Sequence, residues 1–246
     1  MNPKNIQLVP PMLLGKYEFG MTNLIRRIVK KGWIICEVGA YVGDHTPLFS
    51  NLSGENGKVI SIEPQPQHFK LLLDNIALNK LNNVIPVRAA ISNTEGISTM
   101  YIPPNFSIDG RMYKVKNEIR RKQKITTKTI DKLLSQYRSI NLIKMDIQGW
   151  EEKALEGAKK TISNNPNLCL ITEFWPEGLK EAGTDPLKFL KNLRKSGFNI
   201  YLINESNGKL KKILNFPNLV NETNDEDGGF VDLMCSKQQL RPNFKN

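Results

Sequence analysis

The chain has 246 residues, of which 39% are hydrophobic and 24% charged, a size and composition that suit one soluble α/β domain and leave no need for a disulfide or metal staple. No apolar run approaches the ~18 residues of a membrane span, the first residues lack the pattern of a secretory signal, and three widely spaced cysteines (Cys36, Cys169, Cys235) form neither a disulfide framework nor a zinc motif. These features point to a reducing, cytoplasmic setting. The net charge of +11 is concentrated: Arg111 to Lys128 holds eight basic residues and one acidic, Glu118. A concentrated basic stretch directs attention to an anionic partner or to a solvated excursion.

In chain order, Thr22 is placed to cap a helix over 23–31 that ends at Gly32, and WIICEVG reads as a buried first strand followed by a glycine-containing loop and a short helix near Thr46. KVISIEP is a second strand. Residues 67–79 put Phe69, Leu72, Leu73 and Ile76 at i, i+3, i+4 and i+7 on one helical face. NVIPVRAAI is a third strand, ISTMYIPP and ITTKT bracket the basic stretch, and 130–137 is helical. NLIKMDI then gives a fourth parallel strand, 150–162 a helix, LCLITEF a fifth strand and 186–196 a helix. FNIYLI and GFVDLMCS read as two final strands with no helix between them. The pattern predicts an α/β fold: a mostly parallel, Rossmann-like sheet of seven strands, helices on both faces and one antiparallel strand. Residues 1–32 form an N-terminal extension and helix, 33–237 the domain, and 238–246 a tail.

In such sheets the ligand lies at the carboxyl ends of the strands. The first strand delivers Glu37, Gly39, Ala40 and Gly43, and Glu63 ends the second strand 20 residues beyond Gly43. An acid at that spacing is placed to accept hydrogen bonds from both ribose hydroxyls. With no third glycine and no phosphate-binding lysine, NAD and nucleoside triphosphates fit poorly. S-adenosylmethionine, with a ribose and no phosphate, fits best.

Four blocks, EVGAYVGDHT (37–46), IEPQPQHFKLLLDNIALN (62–79), TIDKLL (129–134) and LIKMDIQGWEEKALEGA (142–158), carry a resemblance to the FkbM family of S-adenosylmethionine-dependent methyltransferases, over roughly residues 33–175. The resemblance implies a class I methyltransferase fold. It places Glu37, Gly39 and Gly43 around the methionine moiety, Glu63 on the ribose, and Pro64 and Gln65 near the adenine. Glu37 stands for the family's usual aspartate, Tyr41 for asparagine and Gln148 for a common glutamate. It also implies O-methylation of a sugar, glycan or natural product.

For the chemistry, Asp146 and Glu173 end the fourth and fifth strands and face the expected mouth. Each is a candidate base, acceptor clamp or part of a Mg²⁺ site. His45 is a further candidate base. Lys144, two residues before Asp146, is expected to pair with a carboxylate. His68 reads as structural, and Glu151 as a helix-start acid that matches the family's second acid. Arg120, Arg121 and Lys122 are candidate contacts to an anionic acceptor, with Glu222, Asp225, Glu226 and Asp227 as a facing acidic segment. The rival readings are an RNA methyltransferase using the 111–128 stretch and a non-catalytic basic module with a degenerate pocket.

Overall fold

A computed structural model of the chain describes residues 18–104, 109–225 and 229–239. Its centre is an eight-stranded sheet of β1 (Ile34–Val38), β2 (Lys58–Ile62), β3 (Val84–Val87), β7 (Leu142–Met145), β8 (Cys169–Phe174), β9 (Asn199–Ile203), β10 (Leu210–Lys212) and β11 (Val231–Ser236). The spatial order is β10-β9-β11-β8-β7-β1-β2-β3. From β3 to β8 every pairing is parallel, whereas β11 runs antiparallel between β8 and β9, and β10 antiparallel to β9. The expected single antiparallel strand is therefore joined by a second, at the edge.

One face of the sheet is covered by α1 (Phe19–Ile28) and α2 (Thr46–Ser53), whose Met21, Leu24, Ile25, Ile28 and Phe49 pack on Ile35, Val59, Leu142, Ile171 and Met234. The opposite face buries side chains of α4 (Ile130–Leu133), α5 (Glu151–Glu156), α6 (Lys159–Asn164), α7 (Pro176–Glu181), α8 (Pro186–Lys195) and α9 (Phe216–Asp225). Strands enclosed on both sides explain the nearly continuous apolar runs of IICEV and LIKM.

Local boundaries move where packing overrides propensity. Helix α1 starts at Phe19, a turn before Thr22, because Met21 and Leu24 are core residues. In α3 (Pro66–Leu78) the buried residues are His68 and Leu72, while Leu73 is 40% exposed, so the helix turns a different stripe inward than the apolar spacing predicts. The helix expected over 150–162 is two helices meeting at Gly157: a Cβ there would stand 2.2 Å from the Ser92 carbonyl oxygen, so the backbones meet closely. Asp131 of TIDKLL accepts from the Lys160 and Thr161 amides and thus caps α6. The interval between the last two strands holds β10 and α9, against the expectation of an uninterrupted loop. Glu222 and Asp225 lie on α9, and Glu226 and Asp227 fall outside the described residues.

The third-strand segment also divides. After β3 the chain leaves the main sheet, and β4 (Ala90–Ile91) joins β5 (Gly96–Ile102) and β6 (Arg121–Lys128) in a separate three-stranded sheet, order β4-β6-β5. It packs through Ala90, Met100, Ile102 and Ile125. Half of the basic stretch is thus a strand.

Candidate active site

A cavity of about 970 Å³, its open mouth included, lies at the carboxyl ends of β1, β2 and β7 and reaches under the three-stranded sheet. Glu37, Gly39, Ala40, Glu63, Pro64, Gln65, His45 and Asp146 all line it; Gly43, Glu173, Arg120, Arg121 and Lys122 do not.

The β1–α2 loop is built by close backbone approach. Gly39 has φ +82°, and a Cβ there would stand 2.0 Å from the Asp146 carbonyl oxygen, so only glycine lets β1 and β7 meet at this level. Tyr41 also has positive φ (50°), a conformation asparagine tolerates better than tyrosine. Its ring stands edge-on to His68, with centroids 4.5 Å apart. Gly43 sits outside the lining and turns the chain into α2, its amide donating to the Ala40 carbonyl.

Glu63 is buried and held by backbone donors: the Tyr41 amide reaches Oε2 at 3.0 Å and the Gln65 amide Oε1 at 2.8 Å. A carboxylate offers about four acceptor positions, so two remain for a diol. His68, Nδ1 3.7 Å from Glu63 Oε1, belongs to the cavity wall rather than to the core alone. Glu37 is fixed from one side, Oε2 accepting from Thr46 at 2.5 Å and Ser61 at 2.8 Å. Burial raises its pKa above the ordinary value, opposed by those hydroxyls and by Lys144.

Lys144 is buried, with Nζ 3.3 Å from Asp146 Oδ2, the pairing expected of it. Burial works against its charge, but Asp146, Glu18, Glu37 and Asp232 more than offset this and hold its pKa above the usual lysine value. The Asp146 side chain remains one-third exposed (33%) on the cavity side. His45 is a weaker candidate base than its position suggests. Burial, aided by Lys144, pushes its imidazole down to about 3, so it stays neutral, far from the range a general base needs.

Glu151 does not line the cavity. Its Oε1 accepts from the Ile147 and Gly149 amides and ties down the loop after β7. Glu173 lies one strand beyond Asp146, its pKa raised well above the carboxylate range by burial and by neighbouring acids. Sequence reading missed Glu18 and Asp44, both in the cavity wall. Asp44 Oδ1 is enclosed without a hydrogen-bond partner among the described residues, and burial pushes its carboxyl up to about 7. It also missed the roof, Met100 of the three-stranded sheet with Gly110 and Met112 from the segment between β5 and β6, and Trp150 in the wall. Among the described residues no three His, Cys, Asp or Glu side chains converge as a metal site; Asp146 has an ammonium at its side instead.

The basic stretch is less available than its charge implies. Arg120 is drawn into the fold, its side chain 3% exposed, bonded to the Asp109 carboxylate and carbonyl at 2.6 Å each and to Glu118. Arg111 pairs with Asp109 and Glu181 and lies over the Trp175 ring. Arg121 and Lys122 are exposed on the starting turn of β6. The candidate acceptor contacts therefore lie away from the cavity wall. No helix of the described residues is long and apolar enough to cross a membrane.

No curated protein matches the sequence. The fold is similar to that of a Clostridium thermocellum protein named as an rRNA methylase (TM-score 0.54, 11% identity, covering 90% of this chain and 95% of that one). It is also similar to a Streptococcus mutans protein named as a methyltransferase and solved in complex with SAH (TM-score 0.51, 13% identity, 89% and 96%). A third similar structure is the precorrin-6y C5,15-methyltransferase of Geobacter metallireducens (TM-score 0.50, 12% identity, 91% and 89%). At these identities the likeness shows the class I methyltransferase fold, shared by proteins named for quite different acceptors. The family model for the methyltransferase FkbM domain matches residues 37–200, from the acid of β1 to the middle of β9. With two-thirds of its length so matched, the chain belongs to the FkbM family of S-adenosylmethionine-dependent methyltransferases.

Proposed function

We propose that this protein transfers a methyl group from S-adenosylmethionine to a hydroxyl oxygen of a sugar, glycan or related natural product in the cytoplasm, with Asp146 taking the hydroxyl proton. The observation that carries the reading is Asp146 itself, a carboxylate exposed to the cavity on one side and tethered by Lys144 on the other.

The residues present fit the cofactor. Glu63 keeps two acceptor positions for the ribose hydroxyls, Pro64 and Gln65 border the adenine, and Glu37, Gly39 and Ala40 frame the methionine end, with Gly43 shaping the loop behind them. Five carboxylates line the cavity (Glu18, Glu37, Asp44, Glu63 and Asp146) against one lysine, which suits a ligand carrying a sulfonium and an ammonium. When bound, the cofactor supplies an activated methyl group. The protein's work is to align the acceptor and accept its proton as the new O–C bond forms. Mg²⁺ has no place in this scheme, because the Lys144 ammonium supplies the charge beside Asp146.

The same acid lining argues against a polyanionic acceptor. RNA or an anionic glycan held by Lys114, Lys116, Arg121, Lys122 and Lys124, all exposed, would present its charge to a carboxylate-lined cavity. Radiolabelled S-adenosylmethionine incubated with glycan, small-molecule and RNA pools tests the reading. Label is expected in the glycan or small-molecule pool, and label in RNA would overturn it.

A further inference from the structure

The cavity makes no use of the positive charge between Gly96 and Lys128. In this stretch the sequence has two acids, Asp109 and Glu118, against eight basic residues. Both acids are taken up by arginines, Asp109 by Arg111 and Arg120, and Glu118 by Arg120. Lys114, Lys116, Arg121, Lys122 and Lys124 stay exposed, and none of them forms an ion pair among the described residues.

Strand register sorts part of this charge onto one surface. In the β5–β6 pair, Met100, Ile102 and Ile125 point inward and pack together. Alternation therefore turns Ile97, Thr99 and Tyr101 outward, opposite Thr126, Lys124 and Lys122. Neither strand carries an acid, and Lys124 Nζ donates to Thr99 Oγ1 at 3.2 Å across the face. Exposed aliphatic side chains accompany the charge. Ile97, on that face, is 78% exposed, and Ile119, at the rim two residues before Arg121, is 91% exposed. A single exposed isoleucine is ordinary, but these two stand within a field of unpaired cations. That combination matches a surface with anionic groups outside and acyl chains beneath. Single-stranded nucleic acid would call for stacking platforms instead. Tyr113 is buried and stacked on Trp150, which leaves half-buried Tyr101 as the aromatic side chain of the face.

We infer that the outer face of the three-stranded sheet docks on an anionic bilayer surface, with its lysines on the headgroups and Ile97 and Ile119 at the acyl boundary. The protein then lies on the membrane and does not span it. Met100, on the inner face of the same sheet, lines the cavity, so one sheet separates cavity from bilayer. The anionic headgroups stay on the side away from the carboxylate lining. The inference concerns where the protein works and does not depend on the methyl-transfer reading.

The test is flotation of the full chain with vesicles of phosphatidylcholine alone and of phosphatidylcholine with about one-third phosphatidylserine. The chain should bind the anionic vesicles at least about tenfold more tightly, and raising salt from about 0.05 to 0.5 M should release it. Lys122→Glu/Lys124→Glu should erase the preference for anionic vesicles. Ile97→Thr/Ile119→Thr should weaken binding by about three- to tenfold. Both double variants should keep the parent melting temperature, since all four side chains are exposed. No binding to anionic vesicles at low salt, equal binding to both vesicles, or full binding by either folded double variant overturns the inference. RNA bound more tightly than anionic vesicles at equal phosphate concentration, with no loss in the isoleucine variant, assigns the face to nucleic acid and overturns it too. The salt series and the neutral vesicles need no variant, so a variant that fails to fold leaves the test intact.

Discussion

The two halves of the cavity are built in different ways. The β1–β2 half is made by short segments close in sequence: Gly39 to Asp44 and Glu63 to His68 wrap one buried carboxylate, whose oxygens are held by the amides of Tyr41 and Gln65. The β7 half gathers residues far apart in the chain, with Asp146 beside Lys144, Glu18 from the start of α1, and a roof from the three-stranded sheet and the segment that follows β5. A ligand shared across the family can be held by a local motif, whereas an acceptor that varies is met by residues the fold assembles. Preorganised backbone donors fix the first half; the second half sets an acid and an ammonium side by side, Asp146 and Lys144.

Substitutions at each half should separate the two roles. The largest effect is expected from Asp146→Asn, which keeps the shape but removes the proton acceptor: turnover should fall by about 10²–10⁴, while S-adenosylhomocysteine affinity changes little by calorimetry. A variant with near-normal turnover would remove Asp146 from the chemistry. Glu63→Ala should act in the opposite sense, weakening cofactor affinity by roughly 10–100-fold through lost charge-assisted bonds and freed Tyr41 and Gln65 amides.

Outside the cavity, Arg120→Ala removes a nearly enclosed guanidinium from Asp109 and Glu118, leaving Asp109 paired with Arg111, and should cost about 1.5–3 kcal/mol of stability in denaturant melts. Lys122→Ala, on the exposed strand, should change stability by under about 0.5 kcal/mol. If the two behave alike, the basic stretch is not divided into an inner and an outer part.

The last effect concerns pH. Asp44 ionises near its ordinary value when unfolded and at about 7 when folded, so between those pH values the folded state binds the extra proton. Stability should therefore fall as pH rises from about 4 to 7. Asp44→Asn should stabilise the chain by about 1–2 kcal/mol above pH 7, a gain that vanishes near pH 4. A gain independent of pH would contradict this sign.

The legibility of the sequence follows the same division. Strands enclosed on both faces announce themselves as apolar runs, and the spacing from Gly43 to Glu63 is local, so β1, β2, β7 and β8 and the Glu63 region could be read directly. Asp44 could have been found as an acid inside the glycine loop, and His68 as a residue one turn into the helix after Glu63-Pro64. Glu18 carries no local signal, since only the packing of α1 brings it to His45. Helix α9 was hidden because FPNLVNETND has few apolar residues, and its core contribution comes from Leu219 with partly buried Phe216 and Val220. Charge density misled at Arg120, where sequence shows eight basic residues but not that Asp109 folds back to neutralise two of them.

The central claim is that one cavity holds the cofactor on Glu63 and presents its methyl group to Asp146. A crystal structure of the chain with S-adenosylhomocysteine measures this directly. The account predicts both ribose hydroxyls within hydrogen-bond distance of the Glu63 carboxylate and the sulfur facing Asp146. A ribose bound away from Glu63, or a sulfur turned away from β7, would contradict it.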